Sequence, residues 1–158
     1  DVLGSRGLGD VYKRQLVVTN GFGVTFFHDD KFIGYLAGFF VMLGHIFPVF
    51  YGFHGGKGVL IAATTLIAID PLTCAFSVAV FAIVLAATKY VSVGSICAAI
   101  AYPVFTPIVQ LFIIKGDGVL ANTLMATAIG LLIIYMHRPN IKRLMNGTEN
   151  KFGSKKKA

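Results

Sequence analysis

Charge is the first thing this chain lacks. Only 13% of its 158 residues are Asp, Glu, Lys or Arg, against roughly 25% in a soluble domain. So few charges cannot clothe a surface in water, and the excess apolar content must face something else. Cysteine is also scarce. Cys74 and Cys97 are the only two, both inside apolar runs and without C-x-x-C spacing. They form neither a disulfide framework nor a metal site and read as small packing residues. The four histidines, His28, His45, His54 and His137, show no i,i+4 pairing with a carboxylate partner, so no metal and no cofactor is expected. There is no basic stripe with interleaved aromatics, which argues against nucleic acid as a partner. Internal repeats and a signal-peptide pattern are absent as well.

Apolar sequence is what remains. Hydrophobic residues make up 56% of the chain, and the mean hydropathy is +0.76. They gather in four long runs, 32–50, 58–88, 91–114 and 119–136. Asp70-Pro71 divides the second run into 58–69 and 71–88, because proline removes a helical hydrogen bond. The 58–69 piece is short for a helix that needs about 20 residues to cross a bilayer. A shorter run, 16–27, is interrupted by Asn20, Gly21 and Gly23 and reads as the remains of a further span. The expected fold is all-α, a polytopic integral membrane helical protein. Residues 1–15 are polar, glycine-rich and without periodicity, and are expected to be a non-native or unstructured leader. The membrane domain is expected over 16–151, with a basic disordered tail at 152–158.

The net charge of +7 is placed unevenly. Seven of the fourteen basic residues lie between Arg138 and Lys157, after the last apolar run. If the spans alternate, Lys57, Lys89 and this tail share one side. Lys31 and Lys115 then lie on the other, with Asp29, Asp30, Asp70 and Asp117. The positive-inside rule makes the basic side, with the C-terminus, cytoplasmic.

That side gathers three polar segments. The first is the turn Gly55-Gly56-Lys57-Gly58, whose glycines can turn backbone N–H groups toward an anion while the lysine adds mobile charge. The second is Lys89-Tyr90-Val91-Ser92-Val93-Gly94-Ser95, and the third runs from His137 to Lys151. Each has a plainer reading: a helix–helix turn, an interfacial anchor with a helix start, and a polybasic segment drawn to anionic lipid. The last explains Lys155–Lys157 but not His137, Asn140 or Glu149. A Walker A loop is excluded, because Gly58 and not Ser or Thr follows Lys57 and the flanks are apolar spans.

The stretch Gly44-His45-Ile46-Phe47-Pro48-Val49-Phe50, followed by Phe53-His54-Gly55-Gly56-Lys57-Gly58, resembles the G-H-x-F-P-V-F…F-K-G-G-K-G motif of the bacterial acyl-phosphate-dependent glycerol-3-phosphate acyltransferases, the PlsY family. His137-Arg138, Asn140-Ile141, Arg143-Leu144, Gly147, Glu149 and Lys151 resemble that family's H-R-x-N-I-x-R-L-x-x-G-x-E-x-K. Tyr90-Val91-Ser92…Ser95 is similar to its Y-V-S-x-x-S. The resemblance covers residues from about 30 to 151. His54 stands where the family usually has lysine, and the family's upstream S-x-N-x-G-A-T-N-x-x-R motif is absent from this chain.

The resemblance implies about five retained spans of an expected seven and a multi-pass protein of the bacterial cytoplasmic membrane. It implies transfer of a fatty acyl group from acyl phosphate to the sn-1 hydroxyl of glycerol 3-phosphate, giving 1-acyl-glycerol 3-phosphate for phospholipid synthesis. The partners would be these two substrates and the bilayer. Lys57 and His137 are the expected catalytic residues, His137 assisting as a base. Gly55, Gly56, Gly58, Ser92, Arg138, Asn140 and Arg143 would bind substrate, with Glu149 organising the arginines. Without the upstream motif the chain as given is expected to be inactive. The alternative is a fragment of a membrane transporter for a phosphorylated solute. A lipid-binding scaffold would leave the two long motifs unexplained.

Overall fold

The computed structural model describes residues 30–48 and 55–153. The expectations for 1–15, for 16–27, for His54 and for the lysines at 155–157 fall outside them. The described residues form helices, with no strand among them. In chain order these are α1 (Asp30–Ile46), α2 (Val59–Ile69), α3 (Pro71–Thr88), α4 (Val91–Ile108), α5 (Val119–Met136) and the short α6 (Arg138–Met145). A π-helical turn, Val109–Ile114, extends α4.

The boundaries follow local chemistry. α1 stops at Ile46, two residues before Pro48, which disfavours helical geometry in the residue ahead of it. At Asp70 two helices meet end to end. Its N–H donates to the Leu66 carbonyl (2.9 Å), closing α2, and its Oδ1 accepts from the Thr73 N–H (3.3 Å), capping α3. Pro71 takes the first position of α3, where no N–H is needed. α3, α5 and α4 with its extension are long and apolar enough to cross a membrane, whereas α1 and α2 are apolar but shorter. α2, with 11 residues, is about 17 Å long against a hydrocarbon core of about 30 Å. Leu60, Ile83, Phe112 and Leu120 are each more than two-thirds exposed, as lipid-facing positions are.

α4 is the central element, packed against α3 on one side and α5 on the other, while α1 packs on α2 and α5. Pro103 has no N–H to give the Ala99 carbonyl, so that oxygen is left without its helical donor. It abuts Gly130 of α5 so closely that a Cβ there would lie 2.5 Å from it. Glycine is therefore required at this crossing. Pro107 loosens the next turn in the same way, and the helix widens into the π turn that carries Val109 and Gln110 inward.

At the end of the bundle where α2 meets α3, Asp70 is fully buried yet well provided with partners. Its Oδ2 lies 3.2 Å from Gln110 Nε2, 3.5 Å from the Tyr35 hydroxyl and 3.9 Å from Lys31 Nζ. Gln110 Oε1 accepts from Asn122 Nδ2 at 3.1 Å. This network ties α1, the extension of α4 and α5 to the α2–α3 turn. The opposite end holds the last turns of α1, α3 and α5 and the first turns of α2 and α4, so the elements alternate as the charge distribution requires.

Candidate functional site

The turn at residues 55–58 is built against the end of α1. The Gly55 N–H donates to the Ile46 carbonyl at 3.1 Å. Gly56 lies against the His45 imidazole, where a Cβ would come within 2.3 Å of Nε2. Gly58 begins α2 with φ +76°, a backbone that L side chains rarely adopt, and packs on Met42. Lys57, between these two glycines, is exposed at the mouth.

Ser92 sits in the first turn of α4, and the chain beyond α6 folds back over it. Glu149 fastens this return. Its Oε1 accepts from Ser92 Oγ and from Asn140 Nδ2, both at 2.7 Å, and its Oε2 accepts from Arg143 Nε at 2.6 Å. The Phe152 N–H donates to the Lys89 carbonyl at 2.6 Å, and Lys151 Nζ lies 5.8 Å from the Tyr90 ring centre. Burial pushes the Glu149 carboxyl upward. The three donors and the Arg143 charge outweigh it and hold the carboxyl at about 2.

His137 is buried at the junction of α5 and α6. Its Nδ1 lies 2.8 Å from the Ile133 carbonyl. A carbonyl only accepts, so the proton sits on Nδ1 and Nε2 keeps its lone pair. Burial lowers the His137 pKa; the Ile133 carbonyl and Glu149 oppose this, and the Lys57 charge adds to it, leaving it below the ordinary histidine value. The ring is thus neutral at pH 7 and able to accept a proton.

A cavity of 1080 Å³ opens between these groups. Gly56, Lys57, Gly58, Ser92, His137, Asn140, Arg143 and Glu149 all line it, from three segments far apart in sequence. Two expected residues do not join them. Gly55 lies outside the lining, with its N–H already given to Ile46. Arg138 turns outward, its guanidinium 4.2 Å from the centre of the Tyr135 ring. Asn140 is buried, and its Oδ1 has no partner while its Nδ2 is held by Glu149.

The lining also includes residues that the sequence did not single out as site residues. His45 and Ser95 stand at the polar end, with Asn150 to Gly153 of the returning tail. Ser95 had a signal, its spacing of three from Ser92 on one helical face. Below them the wall becomes apolar, with Ala62, Leu66, Val78, Phe81 and Ala99 along it. A polar mouth with three cations, Lys57, Arg143 and Lys151, the neutral His137 imidazole and two helix N-termini is suited to phosphate groups. The apolar trough below it is suited to a lipid tail.

Comparison with known proteins agrees with this chemistry. A family model described as glycerol-3-phosphate acyltransferase matches residues 7–147, a range that begins inside the stretch 1–15. A glycerol-3-phosphate acyltransferase of Clostridioides difficile is 40% identical over 151 residues, covering 94% of this chain and 70% of its own length. One from Salinibacter ruber is 41% identical over 134 residues, covering 84% of this chain and 58% of its own length. Crystal structures of PlsY, an integral membrane glycerol 3-phosphate acyltransferase, superpose with TM-scores of 0.68 in a glycerol 3-phosphate form and 0.67 in a lysophosphatidic acid form. Both are 37% identical to this chain and cover 87% of it. The chain spans less than two thirds of these solved chains, 63% and 64%.

Proposed function

The chain belongs to the glycerol-3-phosphate acyltransferase family, and we propose that its cavity is the site at which a fatty acyl group passes from acyl phosphate to the sn-1 hydroxyl of glycerol 3-phosphate. The observation that carries this reading is the convergence of Lys57, Ser92 and His137 on one cavity with a polar mouth and an apolar depth. Both substrates are phosphorylated, and one has a long apolar tail. A site with cations only, or with an apolar groove only, would serve half of that pair.

The chemistry assigns roles. The substrate hydroxyl attacks the acyl carbonyl carbon. A C–O bond forms to the glycerol oxygen, the C–O bond to phosphate breaks, and inorganic phosphate departs with the electron pair. Lys57 and Arg143 stabilise the phosphates, and the N-termini of α2 and α4 add backbone N–H groups. His137 Nε2 takes the hydroxyl proton. Glu149 does not touch the anions. Its oxygens are taken up by Ser92, Asn140 and Arg143, which it holds in place. Phosphate is already a good leaving group, so positioning and charge account for the rate without a covalent intermediate. The site opens on the cytoplasmic face of a bacterial membrane, where the positive-inside rule puts Lys57, Lys89 and the basic tail.

The test is release of phosphate from acyl phosphate, dependent on glycerol 3-phosphate, by the complete protein in membranes of a host without its own enzyme. Lys57→Ala is expected to cost about 10²–10³-fold, the usual loss for one donor to developing charge. The protein should remain folded, since Lys57 is exposed on a turn and forms no part of the buried core. Near-normal turnover by this variant would reduce the loop to a turn and refute the assignment.

A further inference from the structure

We propose that the trough ends in a floor made by Leu66, Cys74 and Tyr102, and that this floor sets the longest acyl chain the protein accepts. The proposal rests on the acyl-transfer reading of the same cavity and adds what selects among its donors.

The depth of the trough can be counted along α4. Ser92, Ser95, Ala99 and Tyr102 line the cavity at successive turns of one helical face. Ten residues separate the first from the last, about 15 Å at the rise of an α-helix. Half of a hydrocarbon core about 30 Å thick is the same length. The trough therefore reaches as deep as one lipid leaflet, which suits a chain like those of the surrounding membrane. On α2 the last lining residue is Leu66, one turn before Asp70, and on α3 the first is Cys74, one turn after it.

What lies beneath explains why the trough stops there. The Tyr102 ring centre is 6.2 Å from that of Tyr35, whose hydroxyl belongs to the Asp70–Gln110 network. Asp70 follows Leu66 by one turn, and Gln110 follows Tyr102 by two. A methylene pushed past the floor would press on the buried Asp70 carboxylate and its hydrogen bonds, which cannot give up their partners without cost. Leu66, Cys74 and Tyr102 are themselves 6%, 4% and 5% exposed, so they are packed and have little room to yield. The floor is thus apolar on its upper side and held by a polar network on its lower side.

The experiment compares kcat/KM for a series of acyl phosphates from decanoyl to octadecanoyl in the complete protein, with glycerol 3-phosphate as acceptor. The unsubstituted protein should show a steep fall beyond one chain length. Cys74→Phe raises the floor and should move that fall to shorter chains, lowering the longest substrates about tenfold or more while leaving the shortest within a few-fold. Retained short-chain turnover also reports that the variant is folded. Leu66→Ala lowers the floor and should shift the fall the other way. If Cys74→Phe lowers all chains alike, Leu66→Ala decides. Profiles of unchanged shape in both variants would overturn the floor while leaving acyl transfer intact. No phosphate release with any donor would instead refute the acyl-transfer reading, and the floor with it.

Discussion

Glu149 accepts three hydrogen bonds on two oxygens and ties the returning tail to α4 and α6. Its folded pKa of about 2 lies below the ordinary glutamate value near 4.3. A depressed carboxyl stabilises the fold above its unfolded pKa and loses that contribution as pH falls through the folded one. Thermal unfolding in detergent should therefore drop in midpoint between about pH 4.3 and 2 on this account. Glu149→Gln should start lower at neutral pH and show a shallower decline. Parallel curves would place the acid sensitivity elsewhere. His137 shifts downward too, so its neutral form persists below the ordinary histidine pKa of about 6.5. The acid limb of the pH–rate profile should accordingly lie below that value, and His137→Gln should flatten it. A limb unchanged by the substitution would assign the proton to another acceptor.

The elements were largely legible. The apolar runs predict helices over 58–69, 71–88, 91–114 and 119–136, and the structure has helices at Val59–Ile69, Pro71–Thr88, Val91–Ile114 and Val119–Met136. Asp70-Pro71 was readable because a cap residue followed by proline is local chemistry. The run 32–50 overshoots, since α1 stops at Ile46 ahead of Pro48. The π turn was not legible. It arises from two prolines acting through a helix that still looks uniformly apolar in sequence. Two substitutions test these elements. Gly130→Ala places a methyl 2.5 Å from the Ala99 carbonyl oxygen, and should destabilise by about 1–3 kcal/mol, the usual cost of overpacking. Lys115 ends the π turn at φ 54°. Lys115→Gly relieves that left-handed strain and should stabilise by up to about 1 kcal/mol with activity unchanged. Thermal midpoints read both, and a neutral Gly130→Ala would mean that the crossing has slack.

At the scale of the whole molecule, the site was legible as three segments and illegible as contacts. Charge placement put Lys57, Ser92 and His137 on one face, and the structure brings them to one cavity. It could not show that Arg138 turns to Tyr135 or that Gly55 gives its N–H to Ile46, because both depend on neighbours chosen by the fold. The Asp70 network was hidden for the same reason: its partners are 35 and 40 residues away in sequence. The proposed phosphate-handling site requires these distant segments to act as one. The most direct test is a kinetic double-mutant cycle on glycerol 3-phosphate-dependent phosphate release, using Lys57→Ala, His137→Gln and the pair. Residues that act as a unit are strongly non-additive. The double variant should then be no more than a few-fold slower than the slower single one. Losses that simply multiply, or a single variant that keeps near-normal turnover, would contradict the account.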